Sequence, residues 1–364
     1  MWVLLSRIHN PLWIRVKNLL KFFIFLGTGV GILYLVYLNQ SEAYLEECLQ
    51  KNIPAEDCSL LEKVLADFAS ANYWWILMVW LAFNLSNWSR AMRWKLLLKP
   101  LGYTPRILNL FMSIIIGYFA NLGLPRMGEV LRAATIQQYE KIPLENAMGT
   151  IVTDRIMDVI CILLITGLAV LLEFDTFLNF TNDYVDLSGK LNASFLLLAL
   201  GIIGIIGFII LRQFLVSEKW KNHPLVIKVK SFVVGFKSGI LSVSKLENPG
   251  WFLFHTFNIW LMYFTMTYFC FFAFAPTAQL APVVGLVVFV FGSWGIVIPS
   301  PGGMGTYHFL AQTALMMYGV SGEDGFSWAN ISFFSIQIGA NVFLGLLSLL
   351  ILPFYNRQYS KSII

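Results

Sequence analysis

Two long apolar stretches of this chain are broken in mid-course by Gly and Pro, and that pattern constrains the fold more than any other feature. One is Ile107–Lys141, interrupted at Asn121-Leu-Gly-Leu-Pro125. The other is Val283–Val320, interrupted at Pro299-Ser-Pro-Gly-Gly-Met-Gly305. Around them lie six mostly apolar segments: Phe22–Leu38, Tyr73–Asn87, Gly149–Leu172, Ala193–Leu211, Trp251–Phe274 and Trp328–Phe354. A spanning helix needs about 20 such residues, with a range of ~17–25. Tyr73–Asn87 is short for a span, but it opens on Trp74-Trp75, an aromatic pair suited to a membrane interface. No small-residue cleavage site follows Phe22–Leu38, so that segment reads as an anchor and not a signal peptide. Hydrophobic residues make up 58% of the chain and charged residues 12%, about half the ~25% charge of soluble domains. So little charge cannot cover so much apolar surface in a soluble globule. Disordered, collagen-like, coiled-coil and disulfide-rich secreted classes are excluded too. Long continuous apolar runs argue against a spanning β-barrel, whose strands are short and alternating. The expected fold class is an all-α polytopic membrane protein, a single integral membrane domain over residues 1–364.

Charge sets the expected topology. Lys and Arg gather in residues 1–21 (four), 88–106 (five), 212–250 (seven) and the tail at Arg357 and Lys361. Residues 39–72, 173–190 and 321–327 are acidic and nearly free of basic side chains. Cytoplasmic loops carry the Lys and Arg excess. The basic segments are therefore expected inside, and the acidic ones, including the extracytoplasmic loop 39–72, outside. Only one span, Gly149–Leu172, separates the basic 88–106 from the acidic 173–190. Region 107–141 must then enter and leave on the cytoplasmic side, as a first re-entrant hairpin. By the same count 283–320 is a second hairpin, dipping from outside. The expectation is six transmembrane helices plus two re-entrant hairpins in an inverted-repeat arrangement, with both termini cytoplasmic. Gly/Pro-interrupted segments in corresponding halves are a sequence pointer to a transport site. The basic 212–250 reads equally as an ordinary cytoplasmic loop and as an amphipathic helix on anionic lipid. The net charge of +5 thus speaks of topology and not of nucleic acid.

Charge inside the apolar regions gathers between residues 126 and 158: Arg126, Glu129, Arg132, Asp154, Arg155 and Asp158, with Glu140, Lys141 and Glu145 placed at the cytoplasmic exit. Each charge at the bilayer centre costs ~2.5–3.5 kcal/mol on the insertion scale. Such groups persist when paired or when they face water or a ligand. Glu129 and Arg132 are i,i+3, and Asp154 and Asp158 are i,i+4, so each pair shares a helix face. Arg126 follows Pro125, where a new helix should begin, and a helix N-terminus favours anions. Arg adds a planar donor fork suited to phosphate. Arg126 and Arg132 are therefore candidate phosphate ligands, with Arg155, Asn121, Gly302 and Gly303 lining the path. Glu129, Asp154, Asp158 and His308 are candidates for balancing charge or carrying protons. The bland alternative is that these charges only pair with one another, Glu129 with Arg126 or Arg132 and Arg155 with Asp158. His255 and Asn258 read as interhelical hydrogen-bonding groups. Cys48 and Cys58 share the first outer loop, where an oxidising compartment would allow a disulfide. The four His have no zinc-ligand spacing, no soluble-enzyme motif is found, and no cofactor is expected.

Three ordered motifs resemble a known group. They are Gly117-Tyr-Phe-Ala-Asn-Leu-Gly-Leu-Pro-Arg-Met-Gly-Glu-Val-Leu-Arg132, Thr153-Asp-Arg-Ile-Met-Asp158 and Ile298-Pro-Ser-Pro-Gly-Gly-Met-Gly305. Together, over roughly residues 70 to 350, they resemble the flippase-like membrane domain of lysylphosphatidylglycerol synthetases, a family that also occurs as stand-alone membrane proteins. The resemblance implies a multi-helix bundle with re-entrant elements in a prokaryotic cytoplasmic membrane, and movement of lipids between leaflets. The synthetases carry a soluble aminoacyl-transferase domain after the membrane part. This chain ends at Ile364, so lipid lysylation is not expected; with no soluble-enzyme motif, enzyme activity is not expected either. Relatives often place an acid shortly after the Gly-Gly-x-Gly turn, where this chain has Tyr307 and His308. The leading expectation is a translocator of an anionic phospholipid or polyprenyl-phosphate-type lipid, with membrane lipids as its partners. The rivals are a secondary transporter of a small anion and a membrane enzyme acting on lipid head groups, with Asp154 and Asp158 offering a cation site.

Overall fold

The structure is a computed structural model that describes residues 11–50, 53–54, 58–123, 127–184, 246–298 and 300–360. The expected span Ala193–Leu211, nearly all of the basic segment 212–250, and Arg126 lie outside the described residues. Among the described residues every regular element is helical. They are α1 (Pro11–Gln50), α2 (Leu60–Ser70), α3 (Tyr73–Leu98), α4 (Ile107–Gly123), α5 (Met127–Glu140), α6 (Leu144–Leu172), α7 (Phe174–Tyr184), α8 (Pro249–Ala273), α9 (Pro282–Val297), α10 (Thr306–Met316), α11 (Gly322–Phe333) and α12 (Asn341–Ser360). A π-helical segment, Phe334–Ala340, joins α11 to α12 without a break. Starts are set by short polar side chains that accept an otherwise unpaired N–H. Ser59, Asn72 and Ser321 accept from Glu62, Trp74 and Asp324 respectively.

Among the described residues two helices are long and apolar enough to cross a membrane, α6 and the rod from Gly322 to Arg357, which has 36 residues. A third arises if α2 and α3, bent by 78° at their junction, count as one span. The antiparallel pair α3 and α8 forms the spine. The Asn72 N–H donates to the Ala273 carbonyl at 2.8 Å, and Asn258 Nδ2 donates to Ser89 Oγ at 2.7 Å, so Asn258 does bridge helices. Against this spine pack Val79, Phe83, Phe271, Val287 and Trp328 in one apolar core, and Trp94, Leu110, Ile136, Ile151 and Phe252 in another.

The first hairpin, α4 and α5, begins and ends at the same level of the bundle. Arg106, just before α4, pairs with Glu140, the last residue of α5, at 2.9 Å. Glu140 also accepts from Asn109 Nδ2, and Arg106 donates to Asn356 of α12. Its two limbs touch at Gly117 and Gly128, where a β-carbon on Gly128 would lie 2.2 Å from the Gly117 carbonyl oxygen. Asn121 Oδ1 accepts the Gly128 N–H at 2.8 Å. The second hairpin, α9 and α10, turns through Gly302, Gly303 and Gly305, all with positive φ that side-chain-bearing residues rarely adopt. Thr306 Oγ1 closes it by donating to the Gly295 carbonyl at 2.6 Å. The two tips meet: a β-carbon on Gly302 would lie 2.8 Å from Leu122 Cδ2. α1 seals the far side, with Ile32 and Leu33 against Gly305. Cys48 and Cys58 are joined in a disulfide that links α1 to the approach to α2.

One expectation is corrected. Arg90 and Arg93 were assigned to an exposed cytoplasmic segment after a short span ending at Asn87. In the structure α3 runs on to Leu98, and Arg90 and Arg93 are only 2% and 0% exposed. The helix need not stop at its first charge when that charge meets an acid inside the bundle.

Candidate functional site

Three helices bring seven charged side chains together. α3 supplies Arg90 and Arg93, one turn apart. α5 supplies Glu129 and Arg132. α6 supplies Asp154, Arg155 and Asp158. Arg90 Nη1 lies 3.0 Å from Asp154 Oδ2 and 2.7 Å from Asp158 Oδ2. Arg93 Nη2 lies 2.5 Å from Asp154 Oδ1 and 2.8 Å from Asp158 Oδ1. Arg132 Nη1 reaches Asp154 Oδ2 at 3.1 Å. Arg155 Nη1 reaches Asp158 Oδ2 at 3.4 Å, and its Nε lies 3.2 Å from Glu129 Oε1. Apolar and aromatic groups complete the shell. The Arg132 guanidinium stacks on Trp94 at 3.8 Å from the ring centroid, and Trp94 donates its indole N–H to Thr150 at 2.8 Å. Arg90 Nη2 donates to the Tyr263 hydroxyl, which in turn meets Tyr118.

The pattern divides by exposure. Asp154 is fully buried and meets three guanidiniums, so it is the hub that holds α3, α5 and α6 together. Arg155 and Glu129, by contrast, have side chains 38% and 24% exposed. That exposure opens into a cavity of about 510 Å³ between the two hairpins. Its charged end is made by Arg90, Glu129, Arg155 and Asp158, and its tip end by Asn121, Gly302, Gln337 and Asn341. The π-helical turn is the local reason Gln337 and Asn341 sit there. A wider turn shifts the face that the rest of the rod presents, and Trp80 donates its indole N–H to the Ser335 carbonyl within that turn. The remaining wall is aromatic and aliphatic, with Phe83, Tyr118, Trp260 and Tyr263 prominent. Where the cavity meets the outside, its rim carries Val159, Ile296 and Val297, which are 42%, 46% and 60% exposed.

Of the residues singled out in the sequence, Asn121, Glu129, Arg155, Asp158 and Gly302 line the cavity. Arg132 and Asp154 stand behind the wall, in the buried network. Glu129 pairs with Arg155, not with Arg132. Gly303 packs on Ile296 inside the second turn. His308 is fully buried, accepts the Gly305 N–H at Nδ1 and lies 4.6 Å from the Phe333 ring. It therefore caps α10 within the hairpin, and it is not on the cavity lining. Arg90, Arg93, Gln337 and Asn341 escaped notice in the sequence. The i,i+3 spacing of the two arginines, followed by the apolar Leu96-Leu-Leu98, was the available signal. Asp154 and Asp158, the acids best placed for a cation, are occupied by guanidiniums. Among the described residues no three His, Cys, Asp or Glu side chains group as metal ligands.

Four guanidiniums against three carboxylates leave the described cluster with one excess positive charge. A buried, partly water-accessible positive excess beside an apolar rim can hold an anion whose remainder is apolar.

Comparison with known proteins bears on the same residues. Residues 59–345 match the family described as the lysylphosphatidylglycerol synthase TM region, a span that contains both hairpins and the whole charged cluster. The UPF0104 membrane protein MJ1595 of the archaeon Methanocaldococcus jannaschii is 29% identical over 109 residues, 29% of this chain and 32% of that protein. The match thus spans about a third of the relative's length. No solved structure matches. The chain is a membrane protein that belongs to the lysylphosphatidylglycerol synthase transmembrane-region family.

Proposed function

We propose that this protein moves an anionic lipid, a phospholipid or a polyprenyl-phosphate-type lipid, between the leaflets of a prokaryotic cytoplasmic membrane. It acts as a translocator and not as an enzyme. Six spans and two re-entrant hairpins, one from each face, with both termini cytoplasmic, are the topology that goes with this reading. The observation that carries it is the cavity between the hairpins, whose charged end holds two guanidiniums and two carboxylates backed by a buried cluster with one excess positive charge, and whose rim is apolar and exposed. Arg155 holds the head-group phosphate, with Arg90 behind it. Asn121, Gln337 and Asn341 offer polar contacts to the rest of the head group. The acyl chains leave over Val159, Ile296 and Val297, so only the head group crosses the protein. A small soluble anion would need no such apolar mouth. A head-group enzyme would need carboxylates free to act, and Asp154 and Asp158 are taken up by arginines.

Reconstitution into phosphatidylcholine liposomes carrying fluorescent phosphatidylglycerol tests this. The wild-type protein should move the anionic lipid to the dithionite-protected leaflet faster than empty liposomes do, and Arg155→Gln should abolish the excess. Equal rates for wild type, Arg155→Gln and empty liposomes would remove the reading.

A further inference from the structure

The ion pairs of the cluster are unequal in a way that bears on how the site works. Those made by Arg90, Arg93 and Arg132 with Asp154 join side chains no more than 4% exposed. Asp154 is not on the cavity lining, so a ligand there cannot take its place without parting α3, α5 and α6. The Glu129–Arg155 pair differs on two counts. Both side chains line the cavity. Both are substantially exposed, at 24% and 38%. Like Arg132–Asp154, the pair joins the return limb of the first hairpin to α6. Arg155 is incompletely used: Nη1 meets Asp158 only at 3.4 Å, Nε faces Glu129, and Nη2 has no partner among the described residues. A carboxylate and a phosphate oxygen present the same chemistry to a guanidinium fork. The cavity therefore already contains, on the return limb of the first hairpin, an anion resembling the head group it is built to take.

Resting on the reading of the cavity as an anionic-lipid site, we infer that Glu129 is an internal competitor for the head group. It occupies Arg155 in the empty protein, and the lipid phosphate takes its place. The exchange breaks a link between the first hairpin and α6. Arg132–Asp154 remains as the buried pivot, so the hairpin loosens at its tip and not at its root. Binding of an anion is thereby coupled to movement of the hairpin, and a neutral lipid has no means of releasing it. Both partners and the ligand are charged, so the exchange needs no proton and no cofactor.

The test titrates detergent-solubilised protein with phosphatidylglycerol and, separately, with inorganic phosphate, counting bound ligand by native mass spectrometry. Hydrogen exchange over Met127–Glu140 is followed in parallel. In wild type, phosphatidylglycerol should speed exchange in that helix. Glu129→Gln, which keeps the shape and removes the charge, should bind phosphatidylglycerol about two- to fivefold more tightly, the range that competition from a partly exposed ion pair allows. Its α5 should exchange fast even without lipid. Glu129→Asp, whose shorter arm weakens the pair, should shift in the same direction and serves if the Gln variant does not fold. Unchanged or weaker binding in both variants, with Arg155→Gln still abolishing binding, overturns the competitor role and leaves the cavity reading intact. Arg155→Gln binding as wild type does overturns the cavity reading itself. Phosphate binding that follows Glu129 while phosphatidylglycerol does not bind reassigns the site to a free anion and overturns both.

Discussion

The return limb of the first hairpin carries Glu129 and Arg132, and its base is tied by Arg106 and Glu140. The second hairpin has no Lys, Arg, Asp or Glu from Pro282 to Met316. It is closed instead by the Thr306–Gly295 hydrogen bond and by Tyr307 lying where β-carbons on Gly292 and Gly295 would be. The two hairpins meet tip to tip, yet they are held differently: the first adds ion pairs to its close Gly117–Gly128 contact, and the second relies on packing and hydrogen bonds alone. Ion pairs act over several ångströms and can be exchanged for a charged ligand. Close packing is short-ranged and has no substitute, so a packed hairpin keeps one shape. On the proposed reading the first hairpin is therefore the element suited to respond, and the second is the wall against which it would move.

That contrast is broken most severely at the hub. Asp154→Asn would leave Arg90, Arg93 and Arg132 around a neutral group, and removing one partner of a buried ion network costs about 3–5 kcal/mol. The detergent-solubilised variant should melt far below wild type or fail to accumulate. A loss no larger than that of a packing variant in the second hairpin would show that charge does not hold the first.

Next in size is the packing variant itself. A β-carbon on Gly295 would lie 2.7 Å from Tyr307 Cα and 2.9 Å from the Thr306 oxygen. Both are backbone atoms that cannot step aside, so Gly295→Ala should destabilise by about 1–3 kcal/mol. Gly167 of α6 has nothing within 4 Å of such a β-carbon. Gly167→Ala, as control, should be neutral or gain about 0.4–1 kcal/mol. Thermal melts of the pair separate close packing from a general intolerance of alanine.

A smaller stability effect with a larger functional one is expected at Arg155. Its side chain is 38% exposed, and ion pairs of that kind contribute about 0–1 kcal/mol. Arg155→Gln should melt close to wild type while losing lipid movement in liposomes. Equal loss of both properties would make Arg155 another structural arginine like Arg93.

Much of this was legible in the sequence because the bilayer leaves few options. Gly and Pro at residues 121–125 and 299–305 forced turns where backbone must be sheltered, and the charge between 126 and 158 had to be sheltered as well. Glu129, Arg155, Asp158, Asn121 and Gly302 accordingly line one cavity. What could not be read were the partners. Counting Arg90 and Arg93 as topology signals presumed that Arg at the end of an apolar run faces water. The same residues on a helix that continues are buried ligands for Asp154 and Asp158, and only three-dimensional pairing distinguishes the two cases. His308 failed for the opposite reason. A lone titratable side chain beside a Gly turn served as a cap, and nothing local in the sequence marks which N–H it meets. The π-helical turn that brings Gln337 and Asn341 to the cavity has no sequence signature of its own.

The smallest expected effect lies where α2 meets α11, just after the second hairpin. Lys63 of α2 donates to Asp67 at 2.9 Å and to Asp324 at 2.6 Å, and Asp324 opens α11 just after that hairpin. Burial pushes the Lys63 ammonium down. The hydrogen bonds and charges of Asp324 and Asp67 more than reverse this, so its pKa stands above the ordinary 10.5. A raised folded pKa means that the contribution is fully present below the unfolded value and fades as pH climbs through the folded one. Lys63→Met should therefore lower the melting temperature by an amount equivalent to about 0.5–1 kcal/mol. The gap from wild type should hold steady from neutral pH to near 10.5 and close only above it. A gap that does not close in alkali would mean that Lys63 acts through its apolar stem. The α2–α11 anchor of the second hairpin would then be packing as well, and the contrast between the two hairpins would extend beyond their own limbs.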